Sequence, residues 1–251
     1  MYRPGPKRWI PCIGNGVASG VVIIGSPGNR MGPEISIYLE PYNAVYVEVP
    51  KVACSSIKAC LAELLGVELR DGNPHITNFP TLNISSRGDS LWYPEQFSFA
   101  FARNPWDRLV SCYRDKILGD VKGFTSFDIK PGVANCLAGF DEFMPGMGFE
   151  AFVHAVCSIS DADADEHFRS QYTFVAHPSK TLALSFVGRY ETLAEDLKQI
   201  EAQAGLPPLN LPRLQAASSK AVYQDYYPTH SLREAVALRF KSDIELFGYE
   251  F

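Results

Sequence analysis

Lys51, Ser55 and Ser56 stand close together in Pro50-Lys51-Val52-Ala53-Cys54-Ser55-Ser56, between a β-branched run and a segment of helical period. A helix start leaves its first N–H groups without intrahelical partners and carries a partial positive charge. With the backbone of Val52, Ala53 and Cys54, two hydroxyls and one ammonium group, this turn has the makings of an anion cradle. The plainer reading is a lysine facing solvent and two serines capping a helix. The turn holds no glycine and no GxxxxGK[ST] pattern, which argues against an ordinary ATP or GTP hydrolase. Arg103 and Ser111 form a second group. An arginine at a strand end offers forked, charge-assisted bonds, and a serine two helical turns further on adds a hydroxyl, so one phosphate fits between them. The competing reading is a surface ion pair and a solvent-facing serine.

Histidine is the side chain suited to take a proton at neutral pH, and the chain has five. His75, in the polar loop Asp71-Gly72-Asn73-Pro74-His75, and His167, after an acidic stretch, are the candidate bases. His154, His177 and His230 belong to no motif and are expected at the surface. Glu48 sits in a strand expected to be buried on both faces, where an unpaired carboxylate is costly. A structural ion pair is the favoured reading, with a base or a partner of Lys51 as the others. Asp161, Asp163, Asp165 and Glu166 read as a solvated acidic face rather than a metal site, and no metal is expected.

The elements that must position these residues repeat a strand–turn–helix unit. Ala44 to Val49 is a strand stopped by Pro50, and Ile57, Cys60, Leu61, Leu64 and Leu65 then follow helical spacing up to Gly66. Phe97 to Ala102 is a second strand. Asn104 is its following N-cap with Pro105 at the first helical position, and Trp106, Leu109, Val110, Tyr113 and Ile117 share a helix face. A third strand, Leu184 to Val187, leads into a helix carrying Leu193, Leu197 and Ile200. A last helix places Leu232, Val236, Phe240, Ile244 and Phe247 on one face. Residues 1–43, rich in Gly and Pro, read as a loop or short hairpin extension before a domain at 44–251. Strands each feeding a helix imply a single α/β domain with a central parallel sheet flanked by helices, and ligands of such sheets bind beyond the carboxyl ends of the strands.

A chain of 251 residues suffices for one such domain. Its 46% hydrophobic and 20% charged residues mark it as globular, and its net charge of −5 argues against a general nucleic-acid binder. The six cysteines show no CxxC or His/Cys ligand spacing, so neither zinc nor a disulfide framework is indicated. Arg3, Lys7 and Arg8 precede apolar residues, but Gly14-Asn15-Gly16 interrupts the run, and no stretch reaches the roughly 18 apolar residues of a membrane span. The expectation is a reduced, soluble, cytoplasmic protein with no membrane partner. The sequence carries no code for oligomeric state.

Val49-Pro50-Lys51-Val52-Ala53-Cys54-Ser55-Ser56 and Phe101-Ala102-Arg103-Asn104-Pro105-Trp106-Asp107-Arg108-Leu109-Val110-Ser111, continued by Cys112-Tyr113-Arg114-Asp115-Lys116, resemble the two signatures by which sulfotransferases bind PAPS (3′-phosphoadenosine 5′-phosphosulfate). The resemblance is to the Golgi-type carbohydrate branch, with the HNK-1 and chondroitin/dermatan enzymes and their bacterial relatives. Asp165-Glu166-His167-Phe168-Arg169-Ser170-Gln171, Val187-Gly188-Arg189-Tyr190-Glu191-Thr192-Leu193 and Phe247-Gly248-Tyr249 resemble further segments of that family in the same order. The resemblance implies a fold akin to the P-loop nucleotide kinases. It also implies transfer of a sulfuryl group from PAPS to a hydroxyl or amine of a carbohydrate or small molecule, with adenosine 3′,5′-bisphosphate (PAP) as product. Lys51, Ser55 and Ser56 would hold the 5′-phosphosulfate, Arg103 and Ser111 the 3′-phosphate, and Tyr190 would lie near the adenine; a catalytic histidine at the place of His75 is common in that branch. The rival readings are a small-molecule or nucleotide kinase and a non-catalytic nucleotide- or glycan-binding module. The acceptor-shaping loops, 67–95 and 118–148, carry no readable code.

Overall fold

The structure, a computed structural model, describes residues 32, 33, 35–85, 89–119, 130–211 and 222–251. The expectations resting on Arg3, Lys7, Arg8, Cys12 and Gly14 to Gly16 lie outside these residues. In chain order the described elements are β1 (Ser36–Leu39), β2 (Ala44–Val47), α1 (Cys54–Leu65), β3 (Phe97–Ala102), α2 (Pro105–Lys116), α3 (Phe149–Ser158), α4 (Tyr172–Val175), β4 (Phe186–Arg189), α5 (Leu193–Ala204), α6 (His230–Arg239) and α7 (Lys241–Phe247).

The sheet runs β1-β2-β3-β4. β2, β3 and β4 are parallel, with Tyr46 opposite Phe99 and Phe101 opposite Gly188. β1 joins β2 as an antiparallel edge, turned through Asn43, which adopts the left-handed conformation asparagine tolerates. β2 is buried at every position and β3 at all but its first, as expected of parallel strands covered on both faces. The architecture is therefore a single α/β domain whose sheet is mostly parallel.

α2 starts as its sequence demands: the Asn104 side chain accepts from the N–H groups of Trp106 and Asp107, and Pro105 occupies the first turn. Two readings need correction. The third strand starts at Phe186, not Leu184. Just before it the Ser98 and Ser185 hydroxyls accept each other's backbone N–H at 3.0 and 3.1 Å, so side chains replace the ladder there. The last helix is two helices broken at Phe240, whose ring enters the core while its backbone leaves helical angles (φ −108°, ψ 27°).

Apolar side chains gather in two clusters. One joins the sheet to α1 and α5 through Val45, Phe99, Phe101, Ile57, Leu61, Leu197 and Ile200. The other joins α2, α3 and α6 through Trp106, Leu109, Phe152, Val156, Leu232 and Val236. Gly188 in β4 shows how tightly the first is packed, because a Cβ there would lie 2.7 Å from the Phe101 ring. Gly188→Ala is expected to destabilise the fold by about 1–3 kcal/mol, read as a lower urea midpoint at unchanged slope.

Candidate active site

The first corner, between β2 and α1, is bent by two left-handed residues that are not glycine, Lys51 (φ 69°) and Ala53 (φ 52°). Each costs about 1–3 kcal/mol, and such strain collects at ligand-binding turns. Left-handed residues in a turn are also the conformation from which anion-binding concavities are built. Ala53 is the N-cap of α1 and has no side-chain acceptor to offer the first-turn N–H groups. Val52, Cys54 and Ser56 are buried and Ser55 half-buried. Burial, followed by the charge of Glu48, pushes the Cys54 thiol up to about 11, so it stays protonated at neutral pH.

Lys51 does not face solvent. Its ammonium donates to Asp115 Oδ2 at 2.8 Å, and Lys116 donates to the same oxygen at 3.0 Å. Burial pushes the Asp115 carboxyl up, but the two ammonium groups more than reverse this and leave it at about 2. A folded pKa below the ordinary 3.8 means stability present above about pH 4 and lost as pH falls toward 2, by about 2 kcal/mol. Asp115→Asn is expected to flatten that acid limb when urea unfolding is followed from pH 5 to pH 2.

The second corner, between β3 and α2, meets the first directly. Arg103 Nη1 donates to the Lys51 carbonyl at 3.1 Å, and Nε donates to Asp107 Oδ2 at 2.8 Å. Its guanidinium lies 4.2 Å from the centroid of the Tyr190 ring. Lys51, Arg103 and Tyr190 thus line one place at the carboxyl ends of β2, β3 and β4. Ser111 stands half-buried on α2, and among the described residues no direct hydrogen bond joins it to Arg103. Glu191 ties the third corner in, accepting from the Asn104 N–H at 2.7 Å and from the Tyr249 hydroxyl at 3.1 Å.

The two candidate histidines are held differently. His75 Nε2 lies 2.6 Å from Ser55 Oγ, and its Nδ1 lies 3.4 Å from Lys58 Nζ. An ammonium group only donates, so in the neutral ring the Lys58 contact favours a lone pair on Nδ1 and the proton on Nε2, toward Ser55. Glu48, 3.7 Å from Nδ1, forms a buried 2.8 Å ion pair with Lys58. The partner of Glu48 is therefore Lys58 and not Lys51. His167 Nδ1 lies 2.6 Å from Asp165 Oδ1. A carboxylate there fixes the proton on Nδ1 and leaves Nε2 as the accepting nitrogen. Burial lowers the imidazole's pKa, only partly offset by Asp165, and the Lys116 and Lys51 ammonium groups lower it further. His167 is accordingly neutral and tautomerically set to receive a proton.

Two expectations about these side chains fail. His177 is buried, not exposed: its Nε2 meets the Ser90 carbonyl at 2.7 Å and its ring packs edge-on against Trp92. The acidic run is not a uniformly solvated face, because Asp161 pairs with Arg239 at 2.7 Å and Asp165 with His167. His154 and His230 are exposed as expected.

Several residues that build the site have no assigned role in the sequence reading. Arg108 is wholly buried and donates to the carbonyls of Pro50, Arg169 and Glu166 at 2.9, 2.8 and 3.0 Å. The Gln171 amide accepts from the Arg103 N–H at 2.9 Å and donates to the Arg103 carbonyl at 2.7 Å. Asp243 accepts from the N–H groups of Gln171 and Tyr172, both at 2.8 Å. Burial still raises its carboxyl to about 6. Arg108, Asp115 and Lys116 stand inside the second signature and Gln171 in the segment around His167, so position in a motif was the signal available for them.

The description "Sulfotransferase family" matches residues 36–250, nearly the whole described chain. The chain belongs to the sulfotransferase family. Among its sulfotransferase relatives, mouse (Mus musculus) carbohydrate sulfotransferase 14 is 30% identical over 222 residues, covering 83% of this chain and 58% of the relative. Mouse carbohydrate sulfotransferase 10 is 26% identical over 212 residues, covering 79% and 58%. Human (Homo sapiens) carbohydrate sulfotransferase 14 is 29% identical over 224 residues, covering 83% and 58%. The matches thus span under two thirds of these sulfotransferases' length. No solved structure matches the chain. Kinship with these carbohydrate sulfotransferases, the branch the sequence resembles, overturns the expected cytoplasmic location. Among the described residues no helix is long and apolar enough to cross a membrane.

Proposed function

We propose that this chain transfers a sulfuryl group from PAPS to a carbohydrate hydroxyl by in-line displacement, in a catalytic domain that includes the edge strand β1. One observation carries the reading: the Arg103 guanidinium donates to the Lys51 carbonyl, so the two cationic corners adjoin. Two adjoining cationic corners suit a nucleotide phosphorylated at two positions, and the glycine-free, doubly left-handed turn supports a cradle that works like a P-loop without its sequence. The donor supplies a sulfuryl group already activated by its anhydride bond to phosphate.

The chain's own groups divide the remaining work. The Lys51 ammonium, in reach of Asp115 in this state, turns onto the leaving phosphate, where charge develops, beside the N–H groups of Val52 to Ser56 and the Ser55 and Ser56 hydroxyls. Arg103 and Ser111 hold the 3′-phosphate, and Tyr190 lies against the adenine. The tautomers divide the histidines: His167 Nε2 accepts the acceptor's proton, while His75 Nε2–H serves as a donor at the cradle. No step calls for a metal. The acceptor follows from kinship with enzymes named carbohydrate sulfotransferases.

Incubation with labelled PAPS and a panel of unsulfated oligosaccharides, including unsulfated chondroitin, tests this reading. Labelled glycan and stoichiometric PAP are expected. Phosphate transfer from ATP, or PAP binding with no transfer to any carbohydrate, contradicts it.

A further inference from the structure

We propose that Arg108 is a positioning residue that sets His167 against Lys51, an inference resting on the functional reading above. Its guanidinium lies wholly within the protein and spends its donors on three backbone carbonyls from two segments. Pro50 directly precedes Lys51, while Glu166 and Arg169 bracket His167. One planar, rigid fork therefore joins the cradle to the segment that carries the base. The fork has a second anchorage nearby, since Gln171 is paired to the Arg103 backbone and its own N–H is held by Asp243. The groups around the His167 ring are Asp165 at its Nδ1, the Lys116 and Lys51 ammonium groups, and Cys136, whose sulfur lies within 4.8 Å of the Asp165 and His167 ligand atoms. None of these fixes the distance between the His167 backbone and the cradle. Arg108 does.

Lysine at this position keeps the charge but cannot hold three carbonyls in a plane. The His167 segment then gains freedom relative to the cradle, and a misplacement of about 1 Å costs about 10²-fold in rate. Two measurements on the full chain test this. In the first, imidazole NMR titration follows each histidine in wild type and in Arg108→Lys, with no acceptor needed. The His167 titration is expected to move up toward the ordinary 6.5 as the segment admits water, with His75 unmoved; an unchanged His167 titration overturns the proposal. In the second, PAP formation from PAPS with unsulfated chondroitin is measured for Arg108→Lys, His167→Gln and the double variant. The double variant is expected to be no slower than His167→Gln alone, with the KM for PAPS changed less than about threefold, because a residue acting through His167 has nothing left to act on. Effects that multiply overturn it. If Arg108→Lys does not fold, Arg108→Gln, which buries no charge, takes its place in both measurements. A wild-type chain that binds PAP and transfers nothing to a carbohydrate defeats the functional reading, whereas an active wild type with an unmoved His167 defeats only this proposal.

Discussion

Lys51→Met is expected to lower kcat by about 10²–10³-fold while leaving the protein folded and still able to bind PAP. The size follows from the timing of the charge. The leaving phosphate gains negative charge only as the bond to sulfur breaks, so an ammonium group at that oxygen stabilises the transition state more than the bound donor. The fold survives because Asp115 keeps Lys116 at 3.0 Å when Lys51 is removed. Methionine retains most of the lysine stem, so little apolar packing is lost. Single-turnover sulfation at saturating PAPS, with PAP affinity measured separately, checks the result. A kcat within a factor of about three of wild type would remove Lys51 from the chemistry.

Arg103→Ala acts on binding. The forked side chain stands at the end of β3, braced by Asp107 and by the Tyr190 ring. Losing a desolvated, charge-assisted pair costs about 2–4 kcal/mol, so PAP should bind roughly 30- to 1,000-fold more weakly. The specificity of the loss matters more than its size. Adenosine 5′-phosphate, which lacks the 3′-phosphate, should lose less than about threefold. Equal losses for both nucleotides would mean that the substitution had collapsed the corner rather than removed a phosphate ligand.

How legible this was in the sequence depended on whether the deciding contacts were local. Phe97 to Ala102 and the Asn104-Pro105 start of α2 could be read from side-chain period and capping chemistry, which act within a few residues. The third strand starts two residues later than its apolar run suggests, because the start is decided by Ser98, far away in sequence on the neighbouring strand. The break at Phe240 was invisible to a helical period that both halves continue. The same rule governs the site. Lys51, Arg103 and the histidines announce themselves by type and by motif. What holds them in place comes from partners many residues away: Lys58 beside His75 Nδ1, Asp115 holding Lys51, and Arg108 reaching back to Pro50. His177 reads as a surface residue for the converse reason, since nothing near it in sequence shows that Trp92 and the Ser90 carbonyl enclose it.

Calorimetric titration of the ligand-free chain with PAP, adenosine 5′-phosphate and ATP most directly tests whether the two corners grip one nucleotide. PAP should bind one to one and at least about 30-fold more tightly than adenosine 5′-phosphate, with ATP weaker than PAP, if Arg103 holds the 3′-phosphate while the cradle holds the 5′ end. Equal affinity for PAP and adenosine 5′-phosphate, or a preference for ATP, would contradict a cleft built for a doubly phosphorylated adenosine.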